Sequence, residues 1–229
     1  MTARPASLAA AGTSTLVEGS PDSGVVVVLA HGAGADMHAD FMTGMAGGLV
    51  ARGHAVCRFN FAYADKGRRS PDRADVLEET YERVVAAVRT DLEFDRLIIG
   101  GKSMGGRIAS QIAASGTEVD GVVFLGYPLH PPGKPERLRA EHLRRVRAPM
   151  LFIEGTRDPF CPLETLYGVL ADVDAHTEVA VIEDGDHSFK VRKSSGRSTT
   201  DAWAEVIAAT DDWIRRTSSS WHEHAPARS

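Results

Sequence analysis

Residues 97–114 restrict the fold more than any other part of this chain. Leu97, Ile98 and Ile99 form an apolar run of strand character. The turn that follows, Gly100-Gly101-Lys102-Ser103-Met104-Gly105-Gly106, is dense in glycine, and residues 107–114 have helical composition. A strand that passes through a sharp turn straight into a helix forces the residue at the turn into a cramped backbone, where side chains on its neighbours would clash. Glycines flanking a single serine satisfy that condition. The same geometry lifts the serine hydroxyl to a helix N-terminus, where the dipole favours developing negative charge. Ser103 is therefore the candidate nucleophile. Gly101-Lys102-Ser103 also matches the tail of a phosphate-binding loop, but that loop needs a glycine five positions earlier, and Arg96 stands there. No dinucleotide fingerprint opens a helix elsewhere.

A serine hydroxyl is a weak nucleophile at neutral pH and needs a base, itself oriented by a third group. Downstream, Met150-Leu151-Phe152-Ile153 is an apolar strand that runs into Gly155-Thr156-Arg157-Asp158, placing Asp158 in the turn just past a strand end. Val179-Ala180-Val181-Ile182 is another strand, followed by Glu183-Asp184-Gly185-Asp186-His187. The order serine, acid, histidine, each beyond a strand, brings Ser103, Asp158 and His187 to one edge of a parallel sheet. Asp184 and Asp186 are rival orienting acids. Asp158 is preferred, because a close sequence neighbour seldom reaches the far ring nitrogen at a good angle. The earlier run Val25-Val26-Val27-Val28-Leu29-Ala30 leads into His31-Gly32-Ala33-Gly34, a loop suited to donate a backbone N–H to an oxyanion. The oxyanion donors expected are the amides of Ala33, or its neighbour Gly34, and Met104. A substrate cleft shaped by Met104, Gly34, Tyr127, Leu129, His130 and Phe160 follows.

The motifs His31-Gly32-Ala33-Gly34-Ala35, Gly101-Lys102-Ser103-Met104-Gly105-Gly106-Arg107, Gly126-Tyr127-Pro128-Leu129-His130-Pro131-Pro132-Gly133-Lys134, Gly155-Thr156-Arg157-Asp158 and Gly185-Asp186-His187-Ser188-Phe189 together resemble a group of small α/β-hydrolases. These are labelled dienelactone-hydrolase-like or of the testis-expressed/KANL type. The resemblance runs from about residue 25 to about residue 213. It implies a compact hydrolase with little or no lid, with Ser103, Asp158 and His187 on the triad positions. Dienelactone hydrolases carry cysteine as nucleophile where this chain has Ser103, so the lactone activity does not follow from the likeness. Some relatives in the group act as scaffold subunits.

Elsewhere, strand-like and helix-like segments alternate. Strands are expected at residues 14–18, 25–30, 54–59, 97–100, 122–125, 150–154 and 177–182. Helices are expected at 40–52, 72–92 and 199–216. The best helix carries Val76, Leu77, Tyr81, Val84, Val85 and Val88 as one stripe. Alternation of this kind specifies an α/β fold, a mostly parallel sheet covered by helices on both faces. The organisation expected is a partly disordered N-terminal segment (1–22), one domain (23–216) and a disordered polar tail (217–229). Residues 127–148 are too few for a lid domain, so the cleft is expected to be open and matched to a small ester, a thioester or an exposed acyl group.

Charge and composition narrow the function further. With 26 basic and 31 acidic side chains the net charge is −5, which gives no footprint for nucleic acid. No apolar stretch approaches the ~20 residues of a membrane span. Residues 7–11 are too short and too weakly apolar for a signal-peptide core, so a cytoplasmic location is expected. Cys57 and Cys161 offer no disulfide or metal framework, and no metal or cofactor is expected. His222 and His224 lie in the polar tail with nothing to fix a metal geometry. Lys102 and Arg107 read as packing or ion-pairing residues, and Arg137, Arg139, Arg144, Arg145 and Arg147 as a solvated face. His31 and His130 stand between loop structure and substrate contact. The activity expected is ester-type hydrolysis through an acyl-enzyme on Ser103. A serine peptidase or acyltransferase with the same triad, or a scaffold on this fold, are the alternatives. The oligomeric state is not legible.

Overall fold

The computed structural model describes residues 7–20 and 24–221, with no side-chain detail for 218–221. Seven strands form one sheet: β1 (Thr15–Glu18), β2 (Val25–Ala30), β3 (Ala55–Phe59), β4 (Arg96–Lys102), β5 (Gly121–Leu125), β6 (Met150–Gly155) and β7 (Thr177–Ile182). Their order is β1-β3-β2-β4-β5-β6-β7, with β1 antiparallel to β3 and every other pairing parallel. The helices are α1 (Asp40–Val50), α2 (Ala62–Asp65), α3 (Ala74–Asp91), α4 (Met104–Ala114), α5 (Leu163–Leu170) and α6 (Thr199–Trp221). This is the doubly covered α/β sheet expected from the alternation, with the short N-terminal strand at its edge.

The uninterrupted apolar run of β2 follows from burial on both faces. Val26, Val28 and Ala30 turn towards α3 and α4, where they meet Val84, Val88, Ile108 and Ile112. Val25, Val27 and Leu29 turn the other way, onto Met42 and Leu49 of α1 and Val206 and Trp213 of α6. Side chains alternate with period two along a strand, so each face claims every second residue, and each fully buried Val or Leu contributes roughly 1.5–3 kcal/mol. Gly121 has no Cβ because one there would collide with the Trp213 ring, which lets α6 settle against β5.

Element ends shift by a few residues from expectation. Val76 proves exposed, and Thr80 and Ala87 complete the buried stripe of α3 instead. α6 runs on to Trp221, so residues 217–221 are helical rather than part of a disordered tail. Within the N-terminal segment, a 3-10 turn at Ala9–Ala11 precedes β1. The expectations for residues 1–6 and 21–23, and for the tail with His222 and His224, lie outside the described residues. Both cysteines are free and buried. Between β5 and β6 there is only loop and a 3-10 turn, Glu141–Arg145, so no lid domain is inserted. Among the described residues, no helix is long and apolar enough to cross a membrane.

Candidate active site

Ser103 sits between β4 and α4 with φ +51° and ψ −114°, a conformation that L-residues rarely adopt. Its N–H donates to Leu125 O at 3.1 Å, and its own carbonyl accepts from Arg107 N–H at 3.1 Å. The turn is made possible by β2 next door. A Cβ on either Gly101 or Gly105 would fall inside van der Waals contact of the Ala30 carbonyl oxygen, so the glycines before and after the serine answer to one backbone atom. Beneath the turn, the fully buried Tyr81 hydroxyl accepts from Gly100 N–H at 3.0 Å and lies 2.7 Å from Gly100 O.

His187 comes from the loop after β7 and Asp158 from the turn after β6. The His187 Nε2 lies 2.8 Å from Ser103 Oγ, and Nδ1 lies 2.6 Å from Asp158 Oδ2. The Asp158 side chain is fully buried, and its other oxygen accepts from Phe160 N–H at 2.8 Å. With the carboxylate on Nδ1, the imidazole is held as the Nδ1–H tautomer, leaving Nε2 to accept the serine proton. The Phe160 ring meets the His187 ring edge-on at 4.7 Å and fixes its plane. The rival acids are spent on the loop itself. Asp186 Oδ1 accepts from Ser188 N–H (2.8 Å) and Lys190 N–H (2.9 Å), while Asp184 Oδ2 accepts from Arg192 N–H (2.7 Å). Asp184 takes φ +58° to do so, and its amide donates to Thr156 Oγ1 at 2.8 Å. Gly155 and Gly185 touch backbone to backbone, which ties the acid turn to the histidine loop.

On the opposite side lies the His31–Ala35 loop. His31 is fully buried; its Nε2 accepts from Phe61 N–H at 3.1 Å and its Nδ1 donates to Gly32 O at 2.8 Å. Burial holds its pKa below the ordinary value. His31 therefore builds the loop and has no face for substrate. Met104 is the first residue of α4, so its N–H has no carbonyl one turn back within the helix. Ala33 and Met104 both border the cavity in front of Ser103.

That cavity measures about 280 Å³ and is also lined by His130, Phe160 and His187. Tyr127 and Leu129 do not reach it, contrary to expectation. Both are fully buried on the core side, with the Tyr127 ring 5.1 Å from Phe124 and its hydroxyl donating to Arg139 O at 3.0 Å. In the loop after β5, Pro128 and His130 border the cavity while Tyr127 and Leu129 pack into the core. Gly34 also falls outside the lining: its φ of +73° serves the turn. Sequence reading missed Ala74 and Leu77 at the start of α3, and it read Arg107 and Arg139 as structural or solvated. All four line the cavity. For Arg107 a signal was present, since it lies one helical turn beyond Ser103 on the same face of α4.

Behind the histidine lie two buried titratable side chains of a different kind. Glu154 is completely buried, with Oε1 accepting from Tyr127 N–H at 2.6 Å and Oε2 without a partner among the described residues. Burial raises its pKa well above the ordinary carboxylate value. The ammonium of Lys102 is buried and also lacks a hydrogen-bond partner, and it lies 5.7 Å from the centre of the Phe189 ring. Burial lowers its pKa to about 8, against the pull of Asp158, Glu154 and Asp186.

Comparison with known proteins agrees with the fold. Residues 23–215 match a family model described as an alpha/beta hydrolase domain. Among solved structures, a lidless α/β serine hydrolase from Xanthomonas campestris is 22% identical, with TM-score 0.71 and 94% of each chain covered. A dienelactone hydrolase from Anabaena variabilis is 17% identical at TM-score 0.72, covering 94% of this chain and 97% of its own. An alpha-beta serine hydrolase homologue from Coxiella burnetii is 19% identical at TM-score 0.70, covering 92% and 98%. With the family model spanning six of the seven strands and most of α6, the chain belongs to the α/β-hydrolase family.

Proposed function

We propose that this chain is a serine hydrolase that cleaves an ester-type bond, a carboxylic ester or a thioester, through an acyl-enzyme on Ser103. The observation that carries the reading is the unbroken run from Ser103 Oγ to His187 to the buried Asp158, opening onto a cavity bordered by two candidate oxyanion amides. His187 takes the serine proton as Oγ attacks the acyl carbon. The N–H groups of Met104 and Ala33 receive the charge that builds on the carbonyl oxygen; one such donor is worth about 10²–10³ in turnover. Asp158 stabilises the imidazolium, which then protonates the leaving group. Water, deprotonated by His187 in turn, attacks the acyl-enzyme and releases the acid. The open cavity without a lid suits a short acyl group better than a long chain that must be sheltered from water.

The test is labelling of the purified protein with a fluorophosphonate probe beside Ser103→Ala, with the adduct mapped by mass spectrometry, followed by assay on short neutral esters. An adduct on Ser103 alone, with ester turnover that the variant lacks, is expected. A folded sample that neither labels nor turns over any ester overturns the reading and moves a scaffold role to the front.

A further inference from the structure

Three arginines line the cavity of the candidate nucleophile or the groove that adjoins it. Arg107 and Arg139 line the cavity that contains Ser103, and the same two residues line an adjoining groove of about 480 Å³, where Arg145 and His142 join them. Among the described residues, none of the three arginines forms an ion pair within 4.0 Å. Arg107 spends one Nη on Gln111 Oε1 at 2.9 Å, and its Nε is buried without an acceptor. Burial, with the charge of Arg139, depresses the pKa of Arg107, and burial together with Arg107 and Arg145 pushes His142 down to about 4. The carboxylates facing the region offset this charge only in part. Asp72, which also lines the Ser103 cavity, is engaged by Arg68 at 2.6 Å, Glu78 approaches Arg107 without contact, and Glu141 sits in the groove.

Gathering three like charges against fewer counter-charges costs free energy, in a chain whose overall charge is of the opposite sign. A ligand with one negative charge would balance a single guanidinium. Three of them, each a planar fork that matches paired oxygens, fit a multiply charged oxyanion such as a phosphate. We propose that the groove between α4 and residues 138–145 binds a phosphate group on the substrate, so that the bond cleaved at Ser103 belongs to a phosphorylated ester or thioester. The substrate class rests on the hydrolase reading above; the anion site does not.

Two matched pairs of short thioesters test this, one with and without a phosphate on the thiol half, the other with and without it on the acyl half. The full chain should favour the phosphorylated member of one pair by roughly 10–100-fold in kcat/KM, and the preference should shrink as salt rises. Arg139→Gln with Arg145→Gln changes two exposed side chains and should bring that ratio close to one. A ratio near one in the unaltered protein, a ratio that survives the double substitution, or a stronger preference for the matching carboxylate would overturn the proposal. Inorganic pyrophosphate binding, followed by calorimetry, needs no turnover. Saturable binding that the double variant loses supports the anion site even if Ser103 proves unreactive, whereas no binding at low salt overturns it.

Discussion

Asp158 and His187 stand 29 residues apart in the chain and 2.6 Å apart in space, because the turn after β6 and the loop after β7 are bound together through Gly155 and Gly185. Asp184 and Asp186, much nearer to the histidine in sequence, point into backbone amides of their own loop. Asp158→Asn should therefore lower kcat by roughly 10⁴, since the amide favours the wrong imidazole tautomer. Asp184→Asn and Asp186→Asn should reduce thermal stability while the folded fraction retains most of its turnover. Ester kinetics corrected for folded protein separate the two outcomes, and a 10⁴ loss in either loop variant would reassign the orienting acid.

The Ala30 carbonyl leaves no space for a methyl group on Gly105. Gly105→Ala has to move the start of α4 away from β2, at a cost of about 1–3 kcal/mol by urea unfolding. Met104 N–H would move with it, so turnover per folded molecule should also drop. A variant as stable and as active as the parent would show that the turn has room to spare.

Acid should weaken the fold through His31. Its folded pKa is depressed from 6.5 by burial, so the unfolded chain takes up a proton that the folded chain refuses. The stability present above pH 6.5 is then lost as pH falls through the depressed value. Protonation would also set a donor on Nε2 against Phe61 N–H. His31→Gln should flatten this part of the curve, as read from urea midpoints between pH 7.5 and 5. An unchanged slope would place the acid sensitivity elsewhere.

Glu154 should act in the opposite direction. Its folded pKa is raised by burial above the ordinary 4.5, so the folded chain keeps a proton that the unfolded chain gives up. Its contribution is fully present below pH 4.5 and disappears as pH rises through the raised value. Glu154→Gln keeps the shape and the acceptor for Tyr127 N–H while removing the titration. The stability of the parent relative to the variant should therefore decline as pH rises above 4.5 towards the raised value, and parallel curves would contradict the assignment.

Much of the fold was legible because it rests on local physics. The apolar runs of β2, β4 and β5 can only be strands buried on both faces, and the glycines around Ser103 announce a turn too tight for side chains. Chain order and strand ends pointed to His187 and favoured Asp158, with Asp184 and Asp186 left as rivals. Val76 and Tyr127 show where that reasoning stops. Both are apolar residues at plausible positions, yet one faces solvent and the other the core, because a rotation of some tens of degrees along an element decides the face and no local pattern records it.

By itself, the sequence determined the layered α/β sheet, the serine turn and the order of the three groups around it, since these follow from periodicity, glycine sterics and the polarity of parallel strands. Only the tertiary structure decided which acid reaches His187, that His31 builds the loop after β2, and that Arg107 and Arg139 line the cavity of Ser103 with Arg145 in the groove next to it. These are relations between segments far apart in the chain. Distance and burial, and through them charge, come into being only when the packed elements bring those segments together.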